Sequence, residues 1–161
     1  MLFLSQIEAL VRAEVRFVVI GGVAAGLHGM QRATFDLDIC YDPSADNRAR
    51  LAGVLQGWKA YLRGADAGLP FTMDAKQLQI TPVLTLTTSV GDLDVMGRVS
   101  GVGEYADVLA SSVEAQVGGV TFRILDLPGL IKAKRATGRR KDRDQLPDLE
   151  ALLELRGKKV R

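Results

Sequence analysis

The segment FVVIGGVAAGLHGMQRATFDLDICYD, residues 17–42, constrains the fold of this chain more than any other. A run of strand-forming residues breaks at Gly21 and Gly22, and a second apolar run contains Asp36 and Asp38. Because side chains alternate between the two faces of a strand, both aspartates are expected on one face. The segment therefore predicts two strands joined by a short helical turn, with two carboxylates close together.

Two unpaired carboxylates beside a core repel each other and are costly to desolvate. A divalent cation removes both costs, and Mg²⁺ prefers one or two carboxylates together with substrate phosphates and water. The alternatives are a solvent-facing strand or carboxylates paired with arginines. For Asp36 and Asp38 alone, these alternatives are the more common explanation.

A second segment, GDLDVMG, repeats the pattern with Asp92 and Asp94. Asp92 adjoins Gly91 and is predicted to be a turn residue. Asp94 lies deeper in the strand, between Leu93 and Val95, and is the candidate for a third inward carboxylate. A cluster of three carboxylates is what a two-metal site requires, with the ions about 3.5–4 Å apart.

The glycine pair suggests close approach of the backbone to a ligand. Glycines at a strand-to-helix turn allow N–H groups to approach phosphate oxygens, although such a turn also needs glycine for steric reasons. The dinucleotide-binding pattern G-x-G-x-x-G fails, because its third position is Val23 when the pattern starts at Gly21.

The order of helical and strand patterns predicts an α/β (α+β) fold, in which helices flank a mixed sheet and further helices follow at the C-terminus. Trp58 lies on the apolar face of one predicted helix, over residues 44–64. We expect a single domain over residues 1–161, with a core over about 1–125 and a basic helical segment over about 126–161. Further predictions are a helix near residues 5–17, two strands that turn at residues 89–91, a hairpin at residues 118–119, and two C-terminal helices, LPGLIKAKRATG and LPDLEALLELRG.

Charge is distributed unevenly along the chain. Residues 1–129 carry 10 basic and 14 acidic side chains, whereas residues 130–161 carry 11 basic and 5 acidic ones. The basic segment is either a solvated helical face or a source of cations for a polyanionic ligand. Lys134 continues an apolar helix face, so it either extends to solvent or reaches a buried anion. The stretch GRRKDRDQ is predicted to be a loop or a first helical turn, with most of its basic side chains solvated and one or two that meet a ligand or pair with Asp142.

Cysteine and histidine usage limits the remaining chemistry. Cys40 is the single cysteine and cannot form an internal disulfide, which favours a reducing environment. The N-terminus lacks a signal-peptide pattern and the longest weakly polar stretch is too short to span a bilayer, so we expect a cytoplasmic protein without a membrane partner. His28 is the single histidine and is predicted to make a structural hydrogen bond rather than to transfer protons.

Together these motifs resemble the DNA polymerase β-like nucleotidyltransferase superfamily: a strand, Gly-Gly, about a dozen residues, D-x-D on the next strand, and a third aspartate on a later strand. Within it, GGVAAGLHGMQRATFDLD and LIKAKRATGRRKD are similar to the small bacterial branch related to toxin–antitoxin and abortive-infection nucleotidyltransferases. Many members carry serine after the first glycine, where this chain has Gly22.

The resemblance implies a metal-dependent enzyme that transfers NMP from an NTP to a hydroxyl acceptor and releases pyrophosphate. The acceptor could be a protein hydroxyl, an RNA end or a small molecule, and a cognate antitoxin would be a partner. The alternative is a catalytically silent module of the same fold that binds a nucleotide, a nucleic acid or a protein. The resemblance implies that Gly21 and Gly22 cradle the triphosphate. It implies that Asp36, Asp38 and Asp94 bind two Mg²⁺ or Mn²⁺ ions and that Asp94 also helps to deprotonate the acceptor. Phosphate contacts are implied for Arg32, Lys134 and Lys141.

Overall fold

The computed structural model describes residues 3–66 and 68–159 of the chain. Seven strands in these ranges form one sheet in the order β3-β4-β5-β2-β1-β9-β8, and β6 and β7 form a separate two-stranded ribbon. The strands are β1 (Phe17–Ile20), β2 (Asp36–Tyr41), β3 (Tyr61–Leu62), β4 (Val83–Thr87), β5 (Asp92–Met96), β6 (Arg98–Val99), β7 (Gly103–Glu104), β8 (Ser112–Val117) and β9 (Val120–Leu125).

The large sheet is mixed, as predicted. β1 runs parallel to β9 and β2 runs parallel to β5, whereas the other neighbouring strands are antiparallel. The predicted turn between β4 and β5 and the predicted β8–β9 hairpin are both present. The α/β prediction is therefore confirmed.

Alternation along the central strands separates a buried face from a more open one. On β5 the inward residues Leu93 and Val95 are at most 1% exposed, whereas Asp92 and Asp94 are half-buried. β2 repeats this pattern around Leu37, and β4 repeats it with every second residue exposed. The apolar face belongs to the main core, so the opposite face is left to carry polar side chains.

Most helices are found where the apolar periodicity predicted them, but α1 ends at Arg12 rather than near residue 17, and no pattern predicted α4. None of the helices in the described ranges is long and apolar enough to cross a membrane. The helices are α1 (Leu4–Arg12), α2 (Gly21–Leu27), α3 (Ala45–Gly57), α4 (Ala75–Ile80), α5 (Tyr105–Ala110), α6 (Leu127–Thr137) and α7 (Arg140–Lys159).

The predicted end of the third helix at residue 64 is wrong, because α3 ends at Gly57 and β3 follows. Lys59 has a φ of +53°, a left-handed conformation that cannot continue a right-handed helix. Trp58 caps α3 and packs partly buried against the core, which is less burial than the helix pattern suggested.

The last helix begins earlier than predicted, at Arg140, and Pro147 lies inside it. Gly138 ends α6 in a left-handed conformation, which turns the chain directly into α7. Asp142, predicted to lie in a loop or first turn, is fully buried in the first turn of this helix.

Candidate active site

Three carboxylates meet at the centre of the sheet because β2 and β5 are parallel neighbours in register. Asp36 lies opposite Asp92, and Asp38 lies opposite Asp94. One carboxylate oxygen from each of Asp36, Asp38 and Asp94 lies within 4.8 Å of the others. The structure thus brings together the three aspartates that the strand patterns selected.

Crowding of these groups changes their protonation. Burial and the negative charges of Asp36 and Asp94 raise the pKa of Asp38 far above its usual range. Burial also raises the pKa of Asp94, against the lowering by the nearby Arg63 guanidinium. The cluster therefore holds more negative charge than its surroundings readily support.

The donor set fits a divalent cation. Three half-buried carboxylates offer the oxygen ligands that Mg²⁺ and Mn²⁺ prefer, and a cation would relieve the repulsion that raises the pKa of Asp38. Asp36, Asp38 and Asp94 are the residues that would hold it.

Gly21 and Gly22 pass directly beside this cluster. Gly21 has a φ of +64°, and a Cβ there would overlap the Oδ2 atom of Asp38. A Cβ at Gly22 would lie 2.7 Å from the Oγ1 atom of Thr34. Glycine is thus required at both positions, because the backbone between β1 and α2 lies close to the side chains of Asp38 and Thr34.

A cavity of about 870 Å³ joins these elements. Both glycines and the three aspartates line it, and so do Arg32, Lys134 and Lys141, the predicted phosphate contacts. The cavity is therefore acidic at its centre and has cations in its wall, which is the charge distribution that a metal-bound polyphosphate requires.

Lys134 is fixed in this wall by a buried anion. Its Nζ atom donates to Oδ1 of Asp142 at 3.1 Å, and Thr137 and the Nε atom of Arg139 donate to Oδ2 of the same carboxylate. These hydrogen bonds lower the pKa of Asp142 to about 2, against the opposing effect of its burial. Lys134 therefore both reaches an anion and lines the cavity.

The other two predicted phosphate contacts are less constrained. The guanidinium of Arg32 lies 3.5 Å from Asp148 of α7 and is 47% exposed, so its tie to the protein is weak. Lys141 is exposed on the first turn of α7. Both nevertheless line the cavity.

Arg63 is the site residue that sequence reasoning missed. It follows β3, and its guanidinium lies 2.9 Å from Asp94, 3.4 Å from Asp92 and 3.7 Å from Asp36. The sequence pattern predicts a helix for the segment YLRG, and in a helix this side chain would have no path to β5. Pairing with an arginine was one of the alternatives to metal binding for these carboxylates. The structure contains that pairing, and the same carboxylates also have a geometry that fits a metal ion.

Three further residues considered in the sequence analysis lie outside the cluster. Nε2 of His28 donates to the Leu125 carbonyl at 2.8 Å, the structural role predicted for it. Burial raises the pKa of Cys40 to about 12, which leaves this thiol inert. Asp92 was predicted to be a turn residue, but it is the first residue of β5, because the turn closes earlier, between Thr88 and Gly91.

Two solved structures share this architecture. The lincosamide antibiotic adenylyltransferase LnuA, in a lincomycin-bound crystal structure, aligns with a TM-score of 0.63 over 94% of this chain and 96% of its own, at 13% identity. A proposed nucleotidyltransferase from Thermotoga maritima aligns with a TM-score of 0.57 over 90% of this chain and 88% of its own, at 17% identity.

Comparisons of sequence found no match, either to a protein-family model or to a curated protein sequence. The chain shares the fold of these two structures, as the order of its motifs predicted.

Proposed function

We propose that this protein is a divalent-metal-dependent nucleotidyltransferase that moves NMP from an NTP to a hydroxyl group. One observation carries the proposal: Asp36, Asp38 and Asp94 converge beside Gly21 and Gly22 in a single cavity. The nucleotidyltransferase fold of the two structural neighbours supports it.

Asp36, Asp38 and Asp94 would hold Mg²⁺ or Mn²⁺, as one ion or as a pair. When bound, such cations supply charge neutralisation at the reacting phosphate and its leaving group. The protein contributes the arrangement of these carboxylates, which the parallel register of β2 and β5 fixes before any ligand arrives.

The triphosphate is placed against the glycines and the basic wall of the cavity. Gly21 and Gly22 line the same cavity as Asp38, so their backbone N–H groups are the candidates to meet phosphate oxygens. Lys134, held by Asp142, offers a fixed cation on the α6 side. Arg32 and Lys141 extend the positive wall, and their exposure suits contacts made only when nucleotide is bound.

In the transfer step, the acceptor oxygen attacks the α-phosphorus in line. The bond between the α- and β-phosphates breaks, and pyrophosphate leaves with the bonding electrons. Asp94 takes the acceptor proton, a role that suits a carboxylate whose pKa burial has raised. The other protein groups position the reactants and offset charge.

The acceptor and the biological setting are further parts of the proposal. LnuA is named for an antibiotic, so a small hydroxyl-bearing molecule is the first acceptor class to test, ahead of protein hydroxyls and RNA ends. A cavity of about 870 Å³ suits a nucleotide together with part of a small molecule. A toxin–antitoxin role with a cognate partner stays a prediction of the motif resemblance.

Calorimetric titration with NTP in Mg²⁺ tests the proposal. The double variant Asp36→Asn/Asp38→Asn should lose Mg²⁺-dependent NTP binding, because two of the three ligand carboxylates become neutral. Glu8→Gln, which removes a charge from the surface of α1, is the matched control and should bind like the wild type. Equal binding by the double variant and the wild type would contradict the proposed metal site.

A further inference from the structure

We propose that Arg63 is a positioning residue that serves as the counterion of the carboxylate cluster and competes with the divalent cation for it. The inference rests on the proposed function, because it assigns Asp36, Asp38 and Asp94 to a metal. Arg63 comes from a different part of the sheet, beyond β4, and no sequence motif pointed to it.

The guanidinium contacts two of the proposed metal ligands directly. Its Nη2 atom donates to Oδ1 of Asp94 at 2.9 Å, and its Nη1 atom lies 3.7 Å from Oδ2 of Asp36. The Nε atom faces Asp92, which lies outside the cluster of three, at 3.4 Å. The planar guanidinium is thus shared among carboxylates from two strands, a geometry that lysine cannot reproduce.

The hold of Arg63 on the cluster is incomplete. Nη2 is anchored to the Leu86 carbonyl at 2.8 Å as well as to Asp94. Nε, although buried, makes no hydrogen bond that satisfies it, and the contact with Asp36 is beyond hydrogen-bonding distance. A cation that binds the cluster must therefore displace or share one short charge-assisted hydrogen bond, the one from Arg63 to Asp94.

Charge balance explains why such a residue is present. Without a cation, three converging carboxylates repel one another, and a single positive charge beside Asp94 lowers that cost. With a cation bound, the same positive charge lies beside a second positive charge and opposes its binding. Arg63 therefore stabilises the cluster in the absence of metal and weakens its affinity for metal alone.

A purely structural arginine predicts the opposite sign. If Arg63 only held the carboxylates in place, its loss would let them separate, and metal affinity would fall. If it competes with metal, its loss raises metal affinity, by about tenfold or more for a unit charge a few ångströms from a divalent ion. The direction of the change separates the two roles.

The experiment is a titration of the full chain with Mn²⁺ alone, followed by electron paramagnetic resonance of free Mn²⁺. Arg63→Met removes the charge at nearly constant length, and Arg63→Lys keeps the charge without the shared geometry. Lys134→Met is the matched control, because Lys134 lines the same cavity but pairs with Asp142 rather than with the cluster. Circular dichroism confirms that each variant is folded.

We expect Arg63→Met to bind Mn²⁺ about tenfold more tightly than the wild type, Arg63→Lys to lie between them, and Lys134→Met to gain less. If Arg63→Met does not fold, a gain in Arg63→Lys over the wild type carries the same conclusion. Equal or weaker binding after loss of Arg63, or an equal gain in Lys134→Met, overturns the inference and leaves the metal site intact. Absence of Mn²⁺ binding in the wild type and in every variant overturns the metal site itself.

Discussion

Replacement of Asp142 by asparagine should destabilise the protein by about 2–3 kcal/mol at pH 7. The folded environment lowers the pKa of Asp142 to about 2, from an ordinary value of 3.8. At about 1.4 kcal/mol for each pKa unit, this shift corresponds to roughly 2 kcal/mol of stability in the ionised form. Asparagine keeps the size of the side chain, but it leaves Lys134 and Arg139 without their anion.

The sign of the pH dependence follows from the same shift. Because the folded pKa lies below the unfolded one, the contribution of Asp142 is complete above about pH 4 and is lost as the pH falls through 2. The destabilisation caused by Asp142→Asn should therefore shrink to less than about 1 kcal/mol near pH 2.5.

Urea unfolding followed by circular dichroism, at pH 7 and pH 2.5, measures both numbers. Asp144→Asn is the matched control, because Asp144 is an exposed acid two residues further along the same helix. Its effect should stay within about 0.5 kcal/mol. If the two variants differ from the wild type by the same amount at pH 7, or if the effect of Asp142→Asn does not change with pH, Asp142 is not the buried anion described above.

Two further predictions concern the cluster itself. Gly21→Ala should abolish Mg²⁺-dependent NTP binding in calorimetry, because the new Cβ overlaps Asp38 in a strained backbone. The control variant Gly26→Ala should bind normally, because its new Cβ meets open space. Equal loss of binding in both variants would contradict a specific cradle. Without metal, Asp38→Asn should raise the melting temperature in EDTA at pH 9 more than at pH 6. The raised folded pKa of Asp38 means that stability falls as the pH rises towards it, and a larger gain at pH 6 would contradict this assignment.

The carboxylate cluster was predictable because its signal is local. Alternation along β2 and β5 places Asp36, Asp38 and Asp94 on one face of their strands, whatever the rest of the chain does. The parallel register that brings the strands together is not local, and no sequence pattern predicted it.

Arg63 and Asp142 could not be placed from sequence because their environments depend on distant contacts. Arg63 reaches the cluster only because α3 ends at Gly57, and that end depends on the left-handed conformation of Lys59, which no strong turn signal marks. Asp142 lies within a basic run typical of a solvated surface, and its burial results from the packing of α6 against α7.

Transfer of label from NTP tests the central claim most directly. The protein is incubated with each NTP labelled at the α-phosphate, with Mg²⁺ or Mn²⁺, and with a cell extract or a panel of small hydroxyl compounds. We predict that the wild type transfers label to an acceptor, that EDTA abolishes transfer, and that Asp36→Asn/Asp38→Asn transfers none. Transfer by that variant at the wild-type rate, or absence of transfer by the wild type with every nucleotide and acceptor, would contradict the account.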